Sequence, residues 1–182
     1  MVNMEPISAV LAEDRVVVPA QNDTNSLYQD GYGSLLADER LLTLNAFEVL
    51  YLVERRKIAV VDEANRRMLV FQELLPLLSK GDPDTWTRYI VYRDLRERGF
   101  VARAGADSSA DLLVYERGMY GKKPPRYHVY MLWEGLRTPI SRLSEVLDSA
   151  VDDGRILRLA VVDRRGEVVY YTLSEMDFER PS

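Results

Sequence analysis

Cysteine is absent from this 182-residue chain, and histidine occurs once, at His128. The first absence excludes disulfides, thiolate metal sites and a cysteine nucleophile together. The second excludes a histidine-rich metal site, and no cofactor is expected. No apolar run approaches the roughly 20 residues that span a bilayer. The N-terminus carries Glu5, Glu13 and Asp14 where a signal peptide would have a basic stretch and an apolar core. A cytoplasmic protein without a membrane partner is expected. A basic excess is lacking as well: the formal net charge of -5 disfavours independent binding to a phosphate backbone, which asks for a cationic face.

The 47% hydrophobic and 29% charged residues belong to an ordinary soluble globular chain and exclude extended disorder. The length allows one domain or two small ones. Residues 10–30 mix short apolar runs with Asp, Asn and Gln, which predicts short strands and turns. Thr43 is placed to cap a helix carrying Leu44, Phe47, Leu50 and Tyr51 and running to about Lys57. A strand at 58–61 and an apolar segment at 69–78 follow, and Gly81-Asp82-Pro83 is a break. Asp84 or Thr85 caps a second helix that ends at Gly99, its charged run 93–98 facing water. Strands are predicted at 100–103, 111–115 and 127–133. A helix opens at Thr138-Pro139, and a closing hairpin pairs 156–162 with 167–173 through Asp163-Arg164-Arg165-Gly166. The pattern predicts an α+β (α/β-like) fold: a small mixed N-terminal domain over residues 1–80, and a C-terminal domain over 84–178 in which helices flank a mixed sheet.

Several segments carry a family resemblance. Gly31-Tyr32-Gly33 and the helix containing Glu48-Val49-Leu50-Tyr51-Leu52-Val53-Glu54 are similar to the N-terminal domain of the archaeal tRNA-splicing endonucleases. The stretch from Tyr92 to Phe100, the strand Asp111-Leu112-Leu113-Val114-Tyr115, the strand before Asp163, and Val168-Val169-Tyr170-Tyr171 resemble the nuclease domain of that family in the same order.

The resemblance implies a metal-independent reaction in which a ribose 2′-hydroxyl attacks the adjacent phosphate. That chemistry needs a base, an acid and a cation beside the charged intermediate. In the family a tyrosine, a histidine and a lysine fill these roles. Tyr115 stands in the place of the tyrosine. Pro125 stands where the histidine is expected and can transfer no proton. Arg155 stands in the place of the lysine, keeping a charge but holding its protons too tightly to exchange them. His128 lies three positions from Pro125, an odd offset that on an extended strand points to the opposite face. The family's Lys-Phe-Gly loop corresponds to Asp107-Ser108-Ser109, and the arginine that helps clamp an extruded base aligns with Asp148. A carboxylate there repels phosphate.

The resemblance therefore implies a structural, non-cutting subunit of a heteromeric α2β2 enzyme acting on the bulge-helix-bulge of precursor tRNA. Its partners would be a catalytic subunit and, through the complex, the RNA, with most of the positive surface on the catalytic chain. Two contacts are implied. One is edge pairing through Val168, Val169, Tyr170, Tyr171 and Leu173; the other is docking of the loop Asp163, Arg164, Arg165, Gly166 and Glu167 into a basic pocket. Two other readings remain open: an active ribonuclease using Tyr115, Arg155 and His128 in altered roles, and a free-standing RNA-binding scaffold.

Overall fold

The computed structural model describes residues 5–36, 41–105 and 111–175. By contact the chain divides into two compact units at Arg103/Ala104.

The first unit is built on a six-stranded mixed sheet. In chain order its elements are β1 (Ile7–Ala12), β2 (Arg15–Val18), α1 (Gln21–Gln29), β3 (Ser34–Leu36), β4 (Leu41–Leu44), α2 (Ala46–Glu54), β5 (Ile58–Asp62), β6 (Met68–Leu69), α3 (Phe71–Leu78) and α4 (Thr85–Glu97). The strand order is β3-β4-β2-β1-β5-β6, and only β1 and β5 run parallel. Alternating residues of the central strands (Ala9, Val16, Val18, Leu42, Val60) are buried, as a sheet with one covered face requires. Helix α2 is apolar nearly all round and lies inside the unit, where Phe47 and Tyr51 meet Tyr92 of α4 with ring centroids 4.9 and 5.6 Å apart.

Four local expectations need correction. Residues 21–29 form α1 instead of strands and turns, with only Thr24 and Leu27 buried. Thr43 belongs to β4, opposite Ser34 and Val17, and the N-cap of α2 is Asn45, because Glu48 turns back to accept from the Asn45 backbone N–H at 2.8 Å. That helix ends at Glu54, before Lys57. Within the charged run 93–98, Arg96 is drawn inward. Its guanidinium donates to the carbonyls of Asp30 and Gly31 at 3.1 and 2.9 Å, and sits 4.0 Å from the centroid of the Tyr32 ring.

The Gly31-Tyr32-Gly33 turn is packed from its other side by Glu48. The Glu48 carboxyl is buried, accepts from the Gly33 N–H at 3.0 Å, and is pushed above the usual glutamate range by that burial. Gly33 has φ +65°, and a β-carbon there would meet Leu42 Cγ and the Thr43 carbonyl oxygen, both at 2.7 Å. Only glycine suits this place.

The second sheet has the order β11-β10-β9-β8-β7, formed by β7 (Val101–Ala104), β8 (Leu112–Tyr115), β9 (Tyr127–Trp133), β10 (Ile156–Val162) and β11 (Val168–Leu173). The mixed sheet agrees with the α+β expectation. Strands β9 and β10 are parallel, joined through α5 (Ile140–Asp152), whose Val146, Leu147 and Ala150 pack on Leu157, Tyr130, Leu159 and Leu173. That crossover brings the N-terminal ends of β9 and β10 side by side and returns the C-terminal end of β8 to the same rim.

Candidate functional site

The register of β8, β9 and β10 decides what meets at that rim. Val114 pairs with Tyr127, and Tyr127 with Ile156. Tyr115 therefore follows beside Arg126, Pro125 comes one residue earlier in the chain, and Arg155 immediately precedes the Ile156 pair. The three positions Tyr115, Pro125 and Arg155 lie at one end of three adjacent strands. Asp148 is exposed on α5. Asp107, Ser108 and Ser109 lie outside the described residues.

What these side chains do is local. The Tyr115 ring meets Tyr120 edge to face, centroids 5.0 Å apart at 88°. Arg155 is turned toward the face covered by α5, where Nη1 donates to Asp153 Oδ2 at 2.6 Å and to His128 Nε2 at 2.7 Å. His128 is 1% exposed and stands opposite Leu113 and Leu157 in the ladders. The alternation used to set His128 against position 125 stops short of Pro125, because β9 begins at Tyr127. By the same ladders His128 shares a face with Leu113 and, two residues on, with Tyr115. No spacing signals the contact of Asp153 and Arg155 with His128, since the crossover alone brings them together.

The arrangement has limited chemical means. Pro125 offers no titratable atom, and the Arg155 guanidinium is engaged by a carboxylate and a ring nitrogen. Among the described residues, no group of three His, Cys, Asp or Glu side chains is placed to hold a metal ion, and no helix is long and apolar enough to cross a membrane.

At the opposite end of the sheet, the loop 163–167 is a tight turn made by its own acid. Asp163 Oδ1 accepts from the backbone N–H groups of Arg165 and Glu167, both at 2.8 Å, while the Asp163 N–H donates to the Glu167 carbonyl at 3.0 Å. Gly166 closes the turn with φ +79°. Arg164, Arg165 and Glu167 are exposed, whereas Asp163 is partly enclosed. Among the described residues, strand β11 pairs with β10 alone, which makes it an edge, and it exposes Val169 and Tyr171.

Ladder alternation fixes the backbone directions along that edge. The Asp163–Glu167 pair exchanges a ladder bond, which makes 161↔169, 159↔171 and 157↔173 hydrogen-bonded pairs. The N–H groups of Val168, Tyr170 and Thr172 therefore point away from β10, to the open edge.

Comparison with known proteins agrees with this architecture. Residues 7–75 match the family model described as tRNA intron endonuclease, N-terminal domain, and residues 85–170 match the one described as tRNA intron endonuclease, catalytic C-terminal domain. A tRNA-splicing endonuclease of Methanococcus maripaludis is 33% identical over 167 residues, covering 92% of this chain and 93% of that protein. One of Thermococcus onnurineus is 31% identical over 174 residues, covering 96% and 99%. One of Methanococcoides burtonii is 33% identical over 174 residues, covering 95% of this chain but 46% of that longer protein. Both domains are matched in order and the first two alignments run nearly end to end, so this chain belongs to the tRNA intron endonuclease family.

Proposed function

We propose that this chain is the structural, non-cutting subunit of a heteromeric tRNA-splicing endonuclease, holding a catalytic subunit in place on precursor tRNA. The observation that carries the reading is the pairing of Pro125 with a committed Arg155. One of the three cleaving positions has no proton to give. A second has its cation donated to Asp153 and His128. General acid–base catalysis requires a group that exchanges a proton near the operating pH, and neither position supplies one.

The alternative of an active ribonuclease with altered roles asks His128 to serve as base or acid. Its burial at 1% exposure and the occupation of Nε2 by Arg155 speak against that. The exposed edge of β11 speaks for a partner chain, because an open strand edge carrying Val169 and Tyr171 is an aggregation hazard unless covered.

The test is reconstitution. The chain is purified alone, a family member with intact tyrosine, histidine and lysine is purified alone, and the two are co-expressed. Cleavage of precursor tRNA is expected only where the catalytic chain is present, and at full rate only with both, in a complex of two copies of each. Robust cleavage by the unmodified chain alone would overturn the reading.

A further inference from the structure

We infer that the loop joining β8 to β9, residues 116–126, is a binding surface for the sugar-phosphate backbone of RNA. The inference rests on the proposed place of this chain in an RNA-processing assembly. It adds that this chain touches RNA itself, contrary to the expectation from its overall charge.

The loop carries Arg117, Lys122, Lys123 and Arg126 against Glu116 alone, a net charge of +3 in a chain of net charge -5, so the remainder carries -8. All four cations are exposed. Glu116 stands 3.7 Å from Arg126 and offsets that charge. Among the described residues, no carboxylate lies within salt-bridge distance of Lys122 or Lys123. A local cationic focus on an otherwise acidic body attracts polyanions at one place and repels them elsewhere, which orients the encounter.

The loop is also built to hold its charges in position. The Met119 N–H donates to the Glu116 carbonyl, and the Lys122 and Lys123 N–H groups both donate to the Met119 carbonyl, all at 3.0 Å. Gly118 and Gly121, at φ +72° and +75°, turn the chain between these bonds. The Arg126 N–H donates to the Val114 carbonyl at 2.9 Å and ties the far end to the sheet. Cations fixed by backbone bonds lose less freedom on binding than cations on a loose segment.

Two features favour RNA over an acidic protein segment. The Tyr115–Tyr120 pair lies within and at the root of the loop, and aromatic rings interleaved with cations suit bases flanking a phosphate chain. A carboxylate-rich peptide gains nothing from those rings. The loop also springs from the rim that gathers Tyr115, Pro125 and Arg155, so RNA held there needs no cleavage chemistry from this chain. Contacts of this kind position an RNA without reading its sequence.

The experiment measures binding of a fluorescently labelled synthetic bulge-helix-bulge RNA by anisotropy across a salt series. The full chain is compared with K122E/K123E, each alone and co-assembled with the catalytic chain. The double variant should lose at least about 10-fold in affinity and lower the slope of log K against log salt by about 2, roughly one counterion per lost phosphate contact. The variant R56E/K80E, with the same charge change at two exposed cations of the first unit, should bind RNA within about 2-fold of the unmodified chain by the same orientation argument. Light scattering should show that K122E/K123E still assembles. Unchanged RNA affinity in both settings would overturn the inference, as would an equal loss in R56E/K80E, which would reduce the effect to overall charge. Lost assembly with retained RNA binding would assign the loop to an acidic protein partner instead. A chain that never assembles, yet loses RNA binding in K122E/K123E, would keep this surface and sink the structural-subunit reading.

Discussion

Nη1 of Arg155 lies 2.7 Å from Nε2 of His128, and because a guanidinium only donates, that ring nitrogen is the acceptor of the contact. The same Nη1 lies 2.6 Å from Asp153 Oδ2. Its two hydrogens serve both acceptors, and the 3.1 Å separation of His128 Nε2 from Asp153 Oδ2 is then two acceptors bridged by one donor. A proton on Nε2 would face the Arg155 donor at 2.7 Å. Arg155 is thereby a residue of the domain's interior border more than of its reactive rim.

Nitrogen NMR at neutral pH should therefore find His128 as the Nδ1–H tautomer. His128→Phe fills the space but leaves Arg155 without its ring acceptor, and should cost about 1–3 kcal/mol in chemical denaturation. A doubly protonated ring, or a Phe variant as stable as the parent, would refute the arrangement.

Cleavage should not return easily. In the assembled enzyme, Tyr115→Phe in this chain should leave the rate nearly unchanged, while a loss of about 100-fold or more, the scale of a general acid or base, would mean the tyrosine still works. Pro125→His with Arg155→Lys should give weak activity at best if the exposed Asp148 of α5 still repels phosphate, as the family alignment implies.

Two neighbouring residues of β11 should respond differently to proline. At Val169 the lost N–H belongs to the ladder with β10, so Val169→Pro should destabilise the hairpin itself, visible as an earlier thermal transition. At Tyr170 the N–H faces the open edge, so Tyr170→Pro should leave the fold intact and abolish association with the catalytic chain. Light scattering separates them. Association undiminished in Tyr170→Pro would rule out pairing through this edge.

The loop 163–167 calls for a conservative probe, because Asp163 holds the turn together through two backbone N–H groups at 2.8 Å. Replacing Asp163 would melt the geometry along with the charge. Glu167→Lys alone, with Asp163 kept, should preserve the heterodimer and prevent two heterodimers from joining if this loop docks in a basic pocket. A tetramer that survives the change would leave the loop as a solvated turn.

Glu48 gives the N-terminal unit a pH signature. Burial raises its folded-state pKa above the unfolded value, so the folded chain binds more protons between the two. Stability contributed by this group is full below the unfolded pKa and falls as pH climbs through the raised one. Urea denaturation from acid toward neutral pH should show that decline, and Glu48→Gln should flatten it. The amide cannot accept from both the Gly33 and Asn45 N–H groups, so at neutral pH the variant should still lose about 1–3 kcal/mol. An unaltered slope in Glu48→Gln would show that another group sets it.

The sequence by itself determined the family, the order of β8 to β11, and that a proline at position 125 carries no proton to transfer. The runs 111–115, 127–133 and 156–162 are β-branched and aromatic between turn residues, so their strand character is local, and the chemistry absent from a proline is absent in any fold. Helix α1 escaped notice for the converse reason, since a segment burying only Thr24 and Leu27 has no apolar period to read. Only the tertiary structure decided that Arg96 turns inward to Asp30 and Gly31, and that Arg155 turns to His128. A side chain's direction is set by the partner it finds through space. Those partners lie 66, 65 and 27 residues away for Arg96 and Arg155, distances that local spacing does not encode; for Arg155 the crossover of β9 to β10 closes the gap.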